Sequence, residues 1–359
     1  MARNDALDTA RATAMIFVVA THAALSFMVT PIGWAVQDRS QHLGVDLYVW
    51  IVRAFAMPTF FWLSGYLSRL VFDVHGLKSF VKQRVTRIAI PLLIALVPCS
   101  VILGWEWDWG RAVMARPGVA ANIPKLRGSE LPVVLGHLWF LYYLLLLSAA
   151  AVAISTLVRA VRLRIPAGLG VLAVPAVLTF AVLAVLRSLH TDTPLGFVPD
   201  VLIAIYMGGY FAWGWLVRGQ PEELDCYGRW AWRALAIAPV FLAVVVATLY
   251  RGLAAIEDAP IYASAASALF AISVMVGFLG LCVRHGKPAR LVRLASDSSY
   301  WFYIAHVPIV VALQILLAPI AVPGILKFLA IVVVTSAICM GSYALVSRLN
   351  TRRIIAPYK

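Results

Sequence analysis

The sequence predicts an all-α, polytopic bundle of membrane-spanning helices. Hydrophobic residues make up 62% of the 359 residues and charged residues only 13%, and the mean hydropathy is +0.89. Both values lie far from those of soluble proteins. Apolar runs long enough to cross about 30 Å of hydrocarbon recur through the whole length, and no long polar stretch interrupts them. We therefore expect one integral membrane domain over residues 1–359.

The apolar runs predict about ten transmembrane helices. Each run has roughly the 20 residues that a helix needs to cross a bilayer. The predicted ranges are 10–32, 44–67, 88–108, 135–158, 168–187, 198–217, 234–251, 262–283, 299–318 and 324–347. The first run has full length and follows acidic as well as basic residues, so we expect a retained span and not a cleaved signal peptide.

The positions of lysine and arginine predict that both termini face the cytoplasm. If the N-terminus lies inside, 21 of the 30 basic residues fall in cytoplasmic segments and 8 in external ones, while Arg53 lies within a span. Cytoplasmic loops carry such an excess. Membrane orientation therefore explains the net charge of +14, and we expect a lipid bilayer and no nucleic acid as a partner.

The cysteines give no indication of a metal site or of a disulfide framework. Three of the four lie in apolar runs, and none is spaced from another as metal ligands are. They are Cys99, Cys226, Cys282 and Cys339. We predict that they pack as small hydrophobic residues and that the protein binds no metal.

The first apolar run contains the strongest candidate for a catalytic residue, His22. Arg11 precedes it by eleven residues, which is about three helical turns, so both side chains project from nearly the same face. A rise of about 1.5 Å per residue places His22 roughly 16 Å deeper in the bilayer than Arg11. Ionisable residues at such depth usually mark a functional path. The alternative is a neutral histidine that only bonds a helix neighbour.

Arg53 is a second ionisable residue within a span. It lies about nine residues from the outer end of the second predicted helix, at nearly the depth of His22. A guanidinium stays charged there and is usually paired or faces water. We therefore predict that Arg53 lines the same interior cavity and contacts substrate, although snorkelling to an interface is the alternative.

Arg84 and Arg87 lie just before the third predicted helix, at the cytoplasmic interface. A spacing of three places them next to each other on one helical face. Two guanidinium groups can hold phosphates through paired hydrogen bonds, as a nucleotide-bearing donor such as coenzyme A requires. The alternative is that they only orient the chain and attract anionic lipid.

The segment GWEWDWG, Gly104 to Gly110, alternates three tryptophans with Glu106 and Asp108. Indole faces stack on sugar rings while carboxylates accept hydrogen bonds from hydroxyl groups, so the pattern suits a carbohydrate acceptor. An aromatic belt at the membrane surface is the alternative.

Two further segments combine histidine with aromatic residues. GHLWFLYYLL places His137, Trp139 and Tyr142 at the outer end of the fourth predicted helix, where we consider them candidates for substrate binding. DSSYWFYIAHVPIV places Tyr303 and His306 in the ninth. An interface belt is the alternative for the aromatic residues, and His306 can instead bond a helix neighbour.

Five motifs together resemble the acyltransferase-3 family of membrane acyltransferases. They are Arg11 with His22, FFWLSGYL, Arg84 with Arg87, HLWFLYYL and YWFYIAHVPIV, in this order. The resemblance implies that Arg11 and His22 match the family's essential catalytic pair and that Arg84 and Arg87 match its paired-arginine motif. The chain is most similar to the branch that modifies periplasmic glucans, although it reads Phe55-Ala56-Met57-Pro58 where that branch typically reads Phe-Arg-Met-Pro.

The resemblance implies a transmembrane O-acyltransferase in the bacterial inner membrane. Such an enzyme moves an acyl group, here acetyl or succinyl, from cytoplasmic acyl-CoA to a hydroxyl group of an extracytoplasmic carbohydrate. Acyl-CoA would be a co-substrate, and no permanently bound cofactor is expected. From the residues alone, a proton-coupled secondary transporter is the alternative, although few acidic residues lie within the spans.

Overall fold

The computed structural model describes residues 4–116, 134–161, 170–218, 222–250 and 258–349. Within these ranges the chain forms ten α-helices and no β-strand, which confirms the predicted fold class. The helices are α1 Asp5–Ala24, α2 Leu43–Arg84, α3 Ile90–Met114, α4 Trp139–Val161, α5 Gly170–Leu186, α6 Val201–Arg218, α7 Glu222–Tyr250, α8 Ile261–His285, α9 Arg290–Leu317 and α10 Gly324–Leu349.

Eight helical stretches among the described residues are long and apolar enough to cross a membrane. One of them, Leu43–Met114, has 72 residues and contains α2, a π-helical turn and α3, so it covers two of the predicted spans. A shorter apolar helix, Leu172–Leu186, covers a further predicted span. The chain is therefore a multi-pass membrane protein.

Several helices extend beyond the apolar runs that predicted them. α2 continues to Arg84 and bends at Gly76, whose φ of 72° and ψ of 176° are not helical. α9 begins at Arg290, nine residues earlier than predicted, so His306 lies in the middle of the helix. Hydropathy detects only the apolar length of a helix, whereas backbone hydrogen bonds continue through polar residues. Most of the sequence between the third and fourth predicted helices lies outside the described residues, at 117–133.

The chain divides into two compact units. The first consists of Met1–Arg11, Ala54–Ala89 and Trp139–Arg293, and the second of Ala12–Arg53, Ile90–Leu138 and Leu294–Lys359. The expectation of a single integral domain stays a prediction. Arg11 belongs to the first unit and His22 to the second, although both lie in α1.

A close crossing of α2 and α6 lies in the first unit. A Cβ atom on Gly65 would collide with the carbonyl oxygen of Phe211, and one on Gly214 with the carbonyl oxygen of Trp62. The two helices can approach this closely only because neither glycine carries a side chain. Buried aromatic rings surround the crossing, including Trp62 and Trp213 at a centroid distance of 6.2 Å.

The second unit is held together by an apolar cluster and by one buried ion pair. Val307, Val311 and Ile315 of α9 pack in this cluster with residues of α3 and of the segment after α1. The Nζ atom of Lys327 lies 2.6 Å from the Oδ2 atom of Asp38, and both side chains are 3% exposed. A buried charge pair of this kind requires each partner to compensate the other. It fixes the segment between α1 and α2 against the start of α10.

We predict that Gly65→Ala and Gly214→Ala each destabilise the protein. The added Cβ atom meets backbone that cannot rotate away, and such overpacking costs about 1–3 kcal/mol. Gly104→Ala is the matched control, since a Cβ atom there has no neighbour within 4 Å. Thermal unfolding in detergent should show lower melting temperatures for the two crossing variants and no loss for the control. Equal melting temperatures in all three variants would contradict a tight crossing.

Candidate functional site

His22 lies in the last turn of α1 and is partly exposed. Its Nδ1 atom lies 2.9 Å from the carbonyl oxygen of Val18, one turn earlier. A carbonyl oxygen only accepts hydrogen bonds, so Nδ1 carries the proton that is donated. In the neutral ring, Nε2 then holds a lone pair. Nε2 is therefore the ring nitrogen of His22 that can accept a proton.

His306 of α9 contacts His22 and is fully buried. The Nε2 atom of His306 lies 3.2 Å from the Nδ1 atom of His22, and the two ring centroids are 4.8 Å apart at an interplanar angle of 72°. The Nδ1 atom of His306 lies 2.7 Å from the carbonyl oxygen of Phe302 and 2.9 Å from that of Tyr303. Its ring orientation is therefore fixed by its own helix.

His137 is the third member of the histidine cluster, which also contains His22 and His306. A proline in α9 explains its position. Pro308 has no backbone N–H, so the carbonyl oxygen of Ile304 four residues earlier lacks its helical partner. The Nε2 atom of His137 lies 2.9 Å from that oxygen and satisfies it. The ring centroids of His137 and His306 are 5.7 Å apart. The hydroxyl group of Tyr303 donates a hydrogen bond to the backbone carbonyl of His137.

A short turn before α4 brings His137 into this position. Gly136 has a φ of 50°, in the left-handed region that favours glycine. A Cβ atom there would also lie 3.3 Å from the side chain of Leu103, so the turn packs closely on α3. The hydroxyl group of Ser100 donates a 2.8 Å hydrogen bond to the carbonyl oxygen of Val134 and holds the start of the turn. His137 therefore projects towards α9.

Gln314 closes the end of α1 beside His22. Its Nε2 atom lies 2.9 Å from the backbone carbonyl oxygen of His22 and 3.1 Å from that of Ala23. Such carbonyl groups at a helix end need partners from elsewhere. The indole N–H of Trp34 in turn donates a 2.7 Å hydrogen bond to the Oε1 atom of Gln314. The Trp34 ring lies 6.0 Å from the His22 ring and 5.2 Å from that of Trp107.

Arg53 is a charged residue in the same unit as His22. It is half-buried, and it lies close enough for its positive charge to act on the His22 ring. The chain contributes no cluster of three or more histidine, cysteine, aspartate or glutamate side chains that can hold a metal ion within its described ranges. The ring nitrogens of His22, His137 and His306 can donate and accept hydrogen bonds and transfer protons.

The alternating GWEWDWG segment is helical and belongs to α3. Trp105 is exposed and its ring lies 5.4 Å from that of Trp109, whereas Trp107 is half-buried and donates a 3.3 Å hydrogen bond to the carbonyl oxygen of Gly33. Asp108 is exposed and forms an ion pair with Arg111. Glu106 is 3% exposed, and its Oε2 atom has no hydrogen-bond partner among the described residues.

Trp139 and Tyr142 belong to the first unit, whereas His22, His137 and His306 belong to the second. Trp139 is buried and packs against Phe61 and Tyr143 at centroid distances of 5.9 and 5.7 Å. The hydroxyl group of Tyr142 donates a 2.8 Å hydrogen bond to the carbonyl oxygen of Phe197. Trp139 thus has a packing role in the described structure, and Tyr142 connects α4 to the segment before α6.

The paired arginines and Arg11 also lie in the first unit. Arg84 ends α2, where its Nη2 atom donates a 2.9 Å hydrogen bond to the hydroxyl group of Ser68 and its guanidinium lies 4.6 Å from the centroid of the Phe80 ring. Arg87 lies in the π-helical turn Val85–Ala89. A π turn is wider than an α turn and occurs frequently at functional sites. All three arginines are half-buried.

Comparison with known protein families shows to which family the chain belongs. The model of the acyltransferase-3 family, described as an acyltransferase domain, matches residues 4–344. The chain belongs to the acyltransferase-3 family. The expected family resemblance is therefore confirmed, and the match extends over nearly the whole of this acyltransferase-3 chain.

Curated relatives of this acyltransferase-3 chain carry the name "Glucans biosynthesis protein C". Those from Salmonella paratyphi B and Salmonella heidelberg are each 29% identical to it over 159 residues. The match covers 42% of this chain and 38% of each relative, so it spans less than two fifths of the relatives' length. No solved structure matches the chain.

Sequence reasoning did not assign roles to Gln314 and Trp34, and it did not place His306 against His22. A glutamine inside the apolar α9 is a signal that can be read from sequence, since a polar side chain within a span needs a partner. The identity of that partner cannot be read in the same way. The proline that follows His306 by two residues was also informative, because it marks a free carbonyl group one turn earlier.

We predict that the stabilities of His137 and Pro308 variants are coupled. His137→Ala leaves the Ile304 carbonyl oxygen without a strong hydrogen bond, which costs about 1–3 kcal/mol. In a Pro308→Ala background the restored backbone N–H can take its place, so His137→Ala should cost less there. The measurement is unfolding in mixed micelles for the four members of the double-mutant cycle.

His75→Ala, made in both backgrounds, is the control for this cycle because His75 is exposed and lies in a different helix. It should cost equally little in each background. Ring packing lost by His137→Ala is the same in both backgrounds and cancels. Additive effects of His137→Ala and Pro308→Ala would contradict the shared carbonyl group.

Proposed function

We propose that the protein is a transmembrane O-acyltransferase of the bacterial inner membrane. It moves an acetyl or succinyl group from cytoplasmic acyl-CoA to a hydroxyl group of an extracytoplasmic carbohydrate, such as a periplasmic glucan or an envelope polysaccharide. Family membership supports acyl transfer. The printed name of the matched relatives supports a glucan as the acceptor class. The single observation that carries the proposal is the contact of the His22 Nδ1 atom with the Val18 carbonyl oxygen, which leaves the Nε2 lone pair to accept a proton within a membrane-spanning helix.

His22 acts as the general base of this reaction. Its Nε2 atom takes the proton of the acceptor hydroxyl group, and the hydroxyl oxygen attacks the thioester carbonyl carbon. The new C–O bond forms as the C–S bond breaks, and the proton passes to the leaving thiolate, so the products are an ester and free coenzyme A. Imidazole is the side chain that most often serves as a general base in enzymes.

The developing oxyanion needs a positive or hydrogen-bonding partner. Arg53 is our candidate, because its guanidinium already interacts with the His22 ring. Glu106 and His137 lie in the same unit and are candidates for contacts with the acceptor hydroxyl groups. Trp139, Tyr142 and Asp108 stay candidates for acceptor binding on the sequence argument alone.

The donor's phosphate groups bind to Arg84 and Arg87. Guanidinium groups form strong, directional hydrogen bonds with phosphate oxygens. The contacts of Arg84 with Ser68 and Phe80 hold one guanidinium in a defined position before the donor binds. Arg11 serves the donor as well, since eleven residues of helix, about 16 Å, separate it from His22. That length is comparable with the pantetheine arm of coenzyme A.

We predict that acceptor-dependent release of coenzyme A requires His22. Purified protein in lipid nanodiscs is given acetyl-CoA or succinyl-CoA with a linear glucan oligosaccharide, and free thiol is measured. The wild type should release thiol faster with the acceptor than without it, and His22→Ala should lose at least about 100-fold of this rate, as expected for a lost general base. His75→Ala should retain the wild-type rate.

Two results would count against the proposed function. Full activity in a folded His22→Ala variant would remove His22 from the chemistry. No thiol release by the wild type from either donor, together with acceptor or proton uptake into sealed vesicles, would instead favour the transporter interpretation.

We predict that Arg84→Ala and Arg87→Ala raise the KM for acyl-CoA with little change in kcat. A lost charge-assisted hydrogen bond to phosphate costs about 1.5–3 kcal/mol, which corresponds to roughly a 10- to 100-fold increase. Arg229→Ala, which removes an exposed positive charge from α7, is the matched control and should leave KM unchanged. Equal KM values for all three variants would contradict a phosphate-binding role.

A further inference from the structure

His306 carries its proton on Nδ1, as its contacts within α9 show. Nδ1 lies within hydrogen-bond distance of two carbonyl oxygens, those of Phe302 and Tyr303, at 2.7 and 2.9 Å. Neither oxygen can donate a hydrogen bond, so Nδ1 must. His306 has only two ring nitrogens, and its Nε2 atom is the one that faces His22. In the neutral ring that Nε2 atom is an acceptor.

The same reasoning gives the direction of the hydrogen bond between the two histidines. The Nδ1 atom of His22 is protonated because it donates to the Val18 carbonyl oxygen at 2.9 Å. Its proton also faces the Nε2 atom of His306 at 3.2 Å. The N–H group of His22 is therefore shared between two acceptors, one from α1 and one from α9. A second proton at this contact would create repulsion between two N–H groups.

We infer that His306 is a positioning residue that orients His22 for catalysis through a neutral acceptor nitrogen. The inference rests on the proposed function and names a residue that this function did not include. In hydrolases with a serine nucleophile, a buried carboxylate accepts the Nδ1 proton of the catalytic histidine and stabilises the imidazolium that forms. His306 provides the same acceptor without placing a negative charge inside the bilayer, where an unpaired charge is costly.

Contacts around His306 prevent its ring from turning away. Two carbonyl groups hold its Nδ1 atom, and the His137 ring meets it nearly at right angles, with an interplanar angle of 81°. The side chain is 0% exposed, so no solvent competes for its Nε2 atom. Gln314 fixes the backbone of His22 from the same helix. α9 therefore controls both the backbone and the ring of the catalytic residue.

The test compares two substitutions that differ in one property, the acceptor atom. His306→Gln retains an oxygen acceptor that reaches about as far as the lost Nε2 atom, whereas His306→Phe retains the ring and has no acceptor. We expect His306→Phe to lower kcat about 100-fold, the size of loss that misplacement of a catalytic group causes. The KM for acyl-CoA should stay unchanged, and His306→Gln should recover most of kcat. Melting temperatures establish that both variants are folded.

A structural role for His306 predicts a different pattern. If only packing mattered, the aromatic variant would be the better replacement, and His306→Phe would be at least as active as His306→Gln. That result would overturn the inference while wild-type thiol release still supported acyl transfer. Absence of thiol release in the wild type would instead refute the proposed function itself, and with it a catalytic positioning role.

Nitrogen-15 NMR of histidine-labelled protein gives a readout that does not depend on activity. Signals of His22 and His306 are assigned by their loss in His22→Gln and His306→Gln. At neutral pH both residues should show a protonated Nδ1 atom and an unprotonated Nε2 atom. A protonated Nε2 atom on His306 would overturn the inference, because that nitrogen could then not accept the proton of His22.

Discussion

The hydrogen bond from a histidine ring to a helix carbonyl group is the interaction on which the site depends. His22, His137 and His306 each donate one ring N–H to a backbone oxygen. Within hydrocarbon, where water is absent, such a bond fixes both the tautomer and the direction of the ring. In the neutral ring, the second nitrogen then has no proton and can accept a hydrogen bond or a proton. In His22 this second nitrogen is Nε2, the atom that we propose takes the proton of the acceptor hydroxyl group.

The site forms around backbone carbonyl groups that lack a helical partner, one in α9 and two at the end of α1. Pro308 frees the Ile304 carbonyl oxygen for His137, and Gln314 supplies partners to the carbonyl groups at the end of α1. Such backbone groups are expensive in a membrane unless a side chain satisfies them. The need for such a side chain explains why His137 and Gln314 converge on these backbone groups.

Sequence reasoning recovers properties that a single helix determines, and it fails where two helices must meet. Hydropathy predicted an all-α membrane protein, and the depth of His22 marked it as a functional candidate. The contact between His22 and His306 was not predicted, because residues 284 positions apart meet only through tertiary packing. The alternation of tryptophans with acidic residues could be read from sequence, but not that helical geometry directs Trp105 and Trp107 to different sides of α3. α9 began earlier than expected because hydropathy does not detect polar helical turns.

The crossing of α2 and α6 illustrates how one distance can constrain two positions at once. Gly65 and Gly214 each face a carbonyl group of the other helix, so either side chain would push the same two axes apart. If one glycine is replaced and the helices move apart, a side chain at the other position no longer collides with the facing carbonyl group. The two positions are therefore epistatic, and during evolution a lineage should keep both glycines or lose both.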